Sequence, residues 1–195
     1  MQQQMQQQMQ QQMQPHMRMF ITDEERLYKQ RVKDYTNTLK HFILTSRFNN
    51  STWEENRRFA GKNMKIGCIY CAPSPLSPII PLDTTLFILE MNNDINKIMG
   101  IGLVNNHPRI QKYSVYENGN YNRYSYIGKH RLDRMDMDEE EEKVMRVFDI
   151  LCFTGNTHMK RGQGLKLFPL EMLYKTSTIM DLVVFIRDMF KKRMT

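Results

Sequence analysis

Residues 84–91 carry Leu86, Phe87, Ile88 and Leu89 in an unbroken apolar run. Neighbouring side chains on a strand point to opposite faces, so a strand made of this run needs cover on both sides. Asn92, Asn93 and Asp94 supply a turn, and residues 97–104 return as a partner strand. Gly100 and Gly102 lie two apart, hence on one face of that strand. They either admit a close neighbour or mark a bulge, and we read close packing.

Helical patterns flank this centre. Thr22 and Glu25 have capping-box spacing, with Asp23 and Glu24 suited to the positive end of a helix. Tyr28, Val32, Tyr35, Leu39, Phe42 and Ile43 then recur every three or four residues and predict one amphipathic helix. Ser51 and Glu54 repeat the capping spacing for a shorter helix that carries Trp53 and Phe59 and that Gly61 can close. Residues 64–71 read as a strand, followed by a loop stiffened by Pro73, Pro75, Pro78 and Pro81. Asp136 or Asp138 can cap a later helix whose stripe is Val144, Val147, Phe148 and Leu151, with the acids at 139–142 in its first turn. A last helix is expected from Thr176 or Ser177, with Ile179, Leu182, Val183, Ile186, Met189 and Phe190 on one face. Helices around a central run of strands predict an α+β fold, a small curved antiparallel sheet or a barrel.

Residues 112–116 and 121–127 flank Asn118-Gly119, the pair a type I′ hairpin demands because both central residues need positive φ. That register sets Tyr116 opposite Tyr121, Ser114 opposite Arg123 and Tyr113 opposite Tyr124. Tyr113, Val115, Tyr124 and Tyr126 then share a core-like face with Asn122, while Lys112, Tyr116, Tyr121 and Arg123 lie on the other. Nucleic acid needs cations for phosphate and flat rings for unstacked bases. Lys112, Arg123, Lys129 and Arg131 beside a Tyr116–Tyr121 platform supply both. A loop at 156–166 adds His158, Lys160, Arg161 and Lys166 and no acid, and Gly162 and Gly164 would let backbone N–H groups approach a phosphate. The competing reading is a solvated sheet face whose tyrosines only stabilise the hairpin.

Other chemistry is poorly supplied. Cys68 and Cys71 form a C-x-x-C, but zinc needs four ligands, and only Cys152 and His158 could join them. Buried structural cysteines are the commoner outcome, so no metal and no cofactor is expected. A metal-dependent nuclease would want clustered carboxylates with a lysine; Asp83, Glu90 and Asp94 bracket the first strand pair, but Glu90 is followed by Met91 and Asn92 and not by a nearby lysine. His107, followed by Pro108, reads as structural, and no catalytic residue is assigned.

The 195 residues are 41% hydrophobic and 25% charged, an ordinary globular balance. With 28 Lys+Arg against 21 Asp+Glu the net charge is +7, which favours an anionic partner. Three cysteines are too few for a disulfide framework and suggest a reducing, intracellular compartment. No run approaches the roughly 18 apolar residues of a membrane span, and the N-terminus lacks signal-peptide features, so neither secretion nor a membrane partner is expected. Three copies of Met-Gln-Gln-Gln open the chain. A tract this polar cannot offset its ordering entropy by burial, which predicts a disordered tail over 1–18 before a single domain at 19–195.

Three stretches, residues 82–106 (LDTTLFILEMNNDINKIMGIGLVNN), 121–134 (YNRYSYIGKHRLDR) and 147–164 (VFDILCFTGNTHMKRGQG), resemble an uncharacterised protein family of large nucleocytoplasmic DNA viruses. The resemblance implies an infected host cell or a virion and carries no catalytic residues. The order of strands and hairpin before a helix is also similar to PUA-like modules, including the EVE type, which implies a PUA-like barrel and nucleic-acid or modified-base binding. The resulting expectation is a non-enzymatic nucleic-acid-binding module, DNA or RNA. Its alternative is a virion or protein-interaction component without nucleic-acid specificity, and a metal-dependent nuclease ranks third.

Overall fold

The computed structural model describes residues 22–156 and 158–194, so the tail expected over 1–18 lies outside the described residues. Helix α1 (Asp23–Thr38) starts where the sequence places it, with Thr22 and Glu25 forming the reciprocal capping box. It ends at Thr38, earlier than its periodicity suggests. Phe42 and Ile43 belong to strand β1 (His41–Phe48), where they face opposite cores. Helix α2 (Asn50–Lys62) is capped by Asn49 with Thr52, two residues before the Ser51–Glu54 pair expected to cap it. Strand β2 (Cys68–Ala72) starts later than expected, after a turn at 64–65. Strands β3 (Thr85–Asn92) and β4 (Lys97–Asn105) form the anticipated antiparallel pair.

Strands β5 (Arg109–Ile110), β6 (Tyr124–Gly128) and β7 (His130–Asp133) precede helix α3 (Glu139–Phe153), whose capping box joins Asp138 and Glu141. The inward stripe of α3 is Val144, Met145, Phe148 and Cys152, and Val147 is exposed. Strand β8 (Leu165–Leu167) follows, and the expected last helix is two, α4 (Leu170–Ser177) and α5 (Leu182–Met194). Asp181 accepts from the N–H groups of Val183 and Val184 and starts α5 afresh, leaving Ile179 exposed between the two.

The fold is α+β, with a five-stranded sheet ordered β7-β4-β3-β1-β8 and a three-stranded sheet ordered β2-β6-β5. The larger sheet is open and not closed into a barrel; all its pairings are antiparallel except β1 with β3. β3 lies inside it, and alternation divides its side chains as the apolar run requires. Phe87, Leu89 and Met91 join Phe148, Ile186 and Phe190 on the helical side. Leu86 and Ile88 join Ile69, Tyr70 and Tyr126 of the smaller sheet on the other. The result is a layer of helices, a central sheet and a small second sheet, with α2 against the second core through Trp53 and Phe59. Among the described residues no helix is long and apolar enough to cross a membrane.

The hairpin centred on Asn118-Gly119 does not form. Asn118 has φ −72° and starts a short 3-10 turn (Gly119–Asn122), whereas a type I′ turn needs positive φ at both central residues. Asn122 replaces the expected ladder: its Oδ1 accepts from the N–H groups of Val115 and Tyr116, each at 3.0 Å, and its Nδ2 donates to the Tyr116 carbonyl at 2.7 Å. Strand β6 pairs instead with β2 along its whole length and with the two-residue β5, so Arg109 opposes Ser125 and Ile110 opposes Tyr124.

Candidate functional site: a cleft at the carboxyl end of β1

Strands β1 and β3 run parallel and end together at Phe48 and Asn92. In open sheets the carboxyl ends of parallel strands are where crevices for ligands form. A cleft of about 580 Å³ lies there, lined by Ser46 and Arg47 of β1, Glu55 of α2, Tyr116 and Tyr121, and the loop at 162–164. The start of α2 closes one side, but its N–H groups are largely spoken for. Asn49 accepts from Thr52, and Asp94 accepts from Asn50 at 2.8 Å. The ligand-facing chemistry therefore comes from side chains and the glycine loop.

The loop needs its glycines. Gly162 and Gly164 have φ of 114° and 63°, a backbone region that a Cβ penalises. A side chain at 164 would also press on Ala72 and Pro73 at the end of β2. Beside Gly162 lie two cations, with a Cβ at that position falling 3.7 Å from Lys166 Cε and 3.8 Å from Arg47 Cζ. Arg47 Nε donates to the Met159 carbonyl, and its Nη1 is buried with no partner among the described residues. Burial pulls the Arg47 pKa below its ordinary value, yet a guanidinium stays charged at neutral pH. Neither Arg47 nor Lys166 has a carboxylate within ion-pair distance among the described residues.

The two tyrosines reach the cleft but not as a paired platform. Tyr116 is buried at 8% exposure, and its hydroxyl accepts from Asn56 Nδ2 at 2.9 Å. Burial drives that phenol far above its ordinary pKa, so it stays neutral. Tyr121 is half-buried and meets Tyr116 edge-on, with ring centroids 6.5 Å apart and planes at 78°. One ring edge and one accessible ring thus replace the paired platform expected.

Of the cations expected at the hairpin face, none lines the cleft. Lys112 is exposed with its Nζ 5.7 Å from the Tyr113 ring, and Arg123 is exposed beside Asn120. Lys129 and Arg131 line a separate cavity of about 220 Å³ with His130 and Arg193. Arg131 is not available to phosphate. Its side chain is 7% exposed, and its Nε and Nη2 grip the fully buried carboxylate of Glu90 at 2.7–3.0 Å. In the loop, His158 is half-buried, Arg161 is exposed, and Lys160 accepts from Asn93 Nδ2 through its carbonyl. Of that group Lys166 is the one whose side chain lies against the position of a Cβ at Gly162. The expected set therefore divides between the cleft and the rest of the surface. Arg47 and Glu55 are cleft residues that sequence reasoning missed. Arg47 is the last residue but one of strand β1, HFILTSRF, and becomes conspicuous only when that segment is read as a strand.

The cysteines do not meet. Cys68 Sγ faces the carbonyls of Leu103 and His130, while Cys71 Sγ lies 3.3 Å from the Ser125 hydroxyl. Burial pushes the Cys71 thiol, which touches the cleft, up to about 11, so it is not a thiolate nucleophile at neutral pH. The three carboxylates around the β3–β4 pair also part company. Glu90 is held by Arg131, Asp94 by the Asn50 N–H and Asp83 by His107 Nδ1 at 3.0 Å. Among the described residues no group of three His, Cys, Asp or Glu side chains could hold a metal ion.

No family model, curated protein or solved structure matches this chain.

Proposed function

We propose that the cleft binds one nucleotide unit of a single-stranded nucleic acid without chemically altering it. Arg47 and Lys166 hold the phosphate, the loop at 162–164 brings backbone N–H groups to it, and the Tyr121 ring stacks on the base. The observation that carries this reading is the convergence of two cations without ion-pair partners on Gly162, within a cleft that Tyr121 also lines. The +7 net charge supports long-range attraction of a polyanion. The resemblance to proteins of large DNA viruses supports an infected cell or a virion as the setting.

The test is fluorescence anisotropy of the full chain with labelled single-stranded DNA and RNA. Arg47→Ala, Lys166→Ala and Tyr121→Ala should each weaken binding by about 1–3 kcal/mol. Lys112→Ala and Lys129→Ala should leave it nearly unchanged. Equal losses from all five substitutions would point to diffuse surface attraction in place of a site.

A further inference from the structure

The cleft carries charges of both signs that do not neutralise each other. Arg47 and Lys166 come from β1 and β8. Glu55 comes from the second turn of α2, and Glu117 from the segment leading into the turn at Gly119. Glu55 Oε2 accepts from the Glu117 backbone N–H at 3.2 Å, and neither carboxylate has an ion-pair partner among the described residues. Elsewhere on this surface acids and bases find one another, as Asp138 with Lys192 and Glu141 with Arg193 do. Here Arg47, Glu55 and Glu117 border one space, with Lys166 beside its glycine loop, and no ion pair joins them.

Two carboxylates are a poor setting for a bare phosphate, which they repel. They are a good one for a group rich in N–H donors, because a carboxylate accepts hydrogen bonds and offers none. A ligand that satisfies the whole cleft therefore has an anionic end and a donor-bearing end. Nucleotides of cytosine, adenine and guanine have both, through the phosphate and an exocyclic amino group. Thymine and uracil carry no amino group: two carbonyl oxygens flank their single imide N–H, and those oxygens would face the carboxylates with like polarity.

Resting on the nucleic-acid reading above, we infer that Glu55 and Glu117 make the cleft selective for amino-bearing bases over thymine and uracil. Glu accepting from the cytosine amino group is an established pairing geometry in base recognition. The Tyr121 ring stacks on either pyrimidine, so the discrimination falls to the carboxylates.

The test compares oligo(dC) with oligo(dT), which match in ring size, using the full chain at low salt. The wild type should bind oligo(dC) at least about fivefold tighter, the lower bound for one good base contact. Glu55→Gln with Glu117→Gln should bring the two affinities to within about twofold. It should do so while leaving oligo(dT) binding unchanged or tighter, because like-charge repulsion of the phosphate is relieved. Loss of both affinities together would mean that the carboxylates only support the local structure, and would overturn the inference. Glu117→Gln alone, at an exposed position, should move the ratio in the same direction and guards against misfolding of the double variant. Wild-type affinities that agree within about twofold would refute base selection while sparing phosphate binding. No binding of either strand would remove both readings at once.

Discussion

The hydroxyl of Tyr70 donates to Glu90 Oε1 at 2.6 Å, from a ring seated where Gly102 has no side chain. Tyr70 belongs to the small sheet and Glu90 to the large one, so this bond ties the two layers through a buried carboxylate. Burial, reinforced by the Glu90 charge, holds the phenol far above its ordinary pKa and keeps it a donor. Arg131 grips the same carboxylate from β7 and also donates to Asp133 at 2.6 Å. Gly100 makes room in the same way, since a Cβ there would meet Glu90, the Arg131 guanidinium and the Leu132 carbonyl.

Gly102→Ala should therefore cost roughly 1–3 kcal/mol, the usual range for overpacking a filled core. Urea denaturation monitored by circular dichroism measures it. A variant as stable as wild type would show that the ring has room to move, and that the glycine is not needed for close approach.

Arg131→Met alone should cost about 3–5 kcal/mol, because it leaves the buried Glu90 charge without its partner, and Glu90→Gln should cost less, because Arg131 keeps its ion pair with Asp133. Replacing both should recover most of that loss, since the desolvation of two ions disappears with them. A double-mutant cycle in urea measures the coupling. Strictly additive losses would mean that the pair is not the reason either residue is needed.

Much of this arrangement was legible in the sequence. Leu86 to Leu89 demanded cover on both faces, and two cores provide it. The spacing of Gly100 and Gly102 marks a site of close packing but does not name the partner. The register of two elements was not legible, for different reasons. Phe42 and Ile43 continue the three-to-four spacing set by Tyr35 and Leu39, and a short buried strand cannot be told from a helix by period alone. Asn118-Gly119 has the composition of a hairpin turn, but the Asn122 side chain makes the bonds that a partner strand would have made, three of them to Val115 and Tyr116. Tertiary competition of this kind leaves no local mark. The cleft inherits both errors: Arg47 was hidden by the first, and Tyr116 was assigned to the surface by the second.

Acid should weaken the protein through Glu142. Arg134 donates to both its oxygens, each at 2.8 Å, and holds the carboxyl at about 2 against an ordinary 4.5. Because the folded value lies below the unfolded one, the stabilisation is complete above about pH 4.5 and is lost as the pH falls from there toward 2. Glu142→Gln should flatten this limb in urea melts taken across that range. An unchanged acid limb would mean that other carboxylates, such as Glu141 beside Arg193, dominate it.

Tyr116 and Tyr121 should separate stability from binding. Tyr116→Ala empties a buried site and leaves Asn56 Nδ2 with one acceptor fewer, so it should cost roughly 3–5 kcal/mol of stability. Tyr121→Ala should cost well under that and weaken single-strand binding by about 1–3 kcal/mol. Thermal melts beside anisotropy titrations decide it, and a Tyr121 variant that unfolds while a Tyr116 variant stays intact would invert the two roles.

The most direct test of phosphate binding at the cleft is the salt dependence of single-strand affinity for wild type and Lys166→Ala. For wild type the logarithm of the affinity should fall linearly with the logarithm of salt concentration, by about 0.7 per phosphate contact. Lys166→Ala should weaken binding and reduce that slope by about one contact, roughly 0.7. A flat wild-type line, or a Lys166→Ala slope equal to the wild-type slope, would contradict the claim that Lys166 holds a phosphate in this cleft.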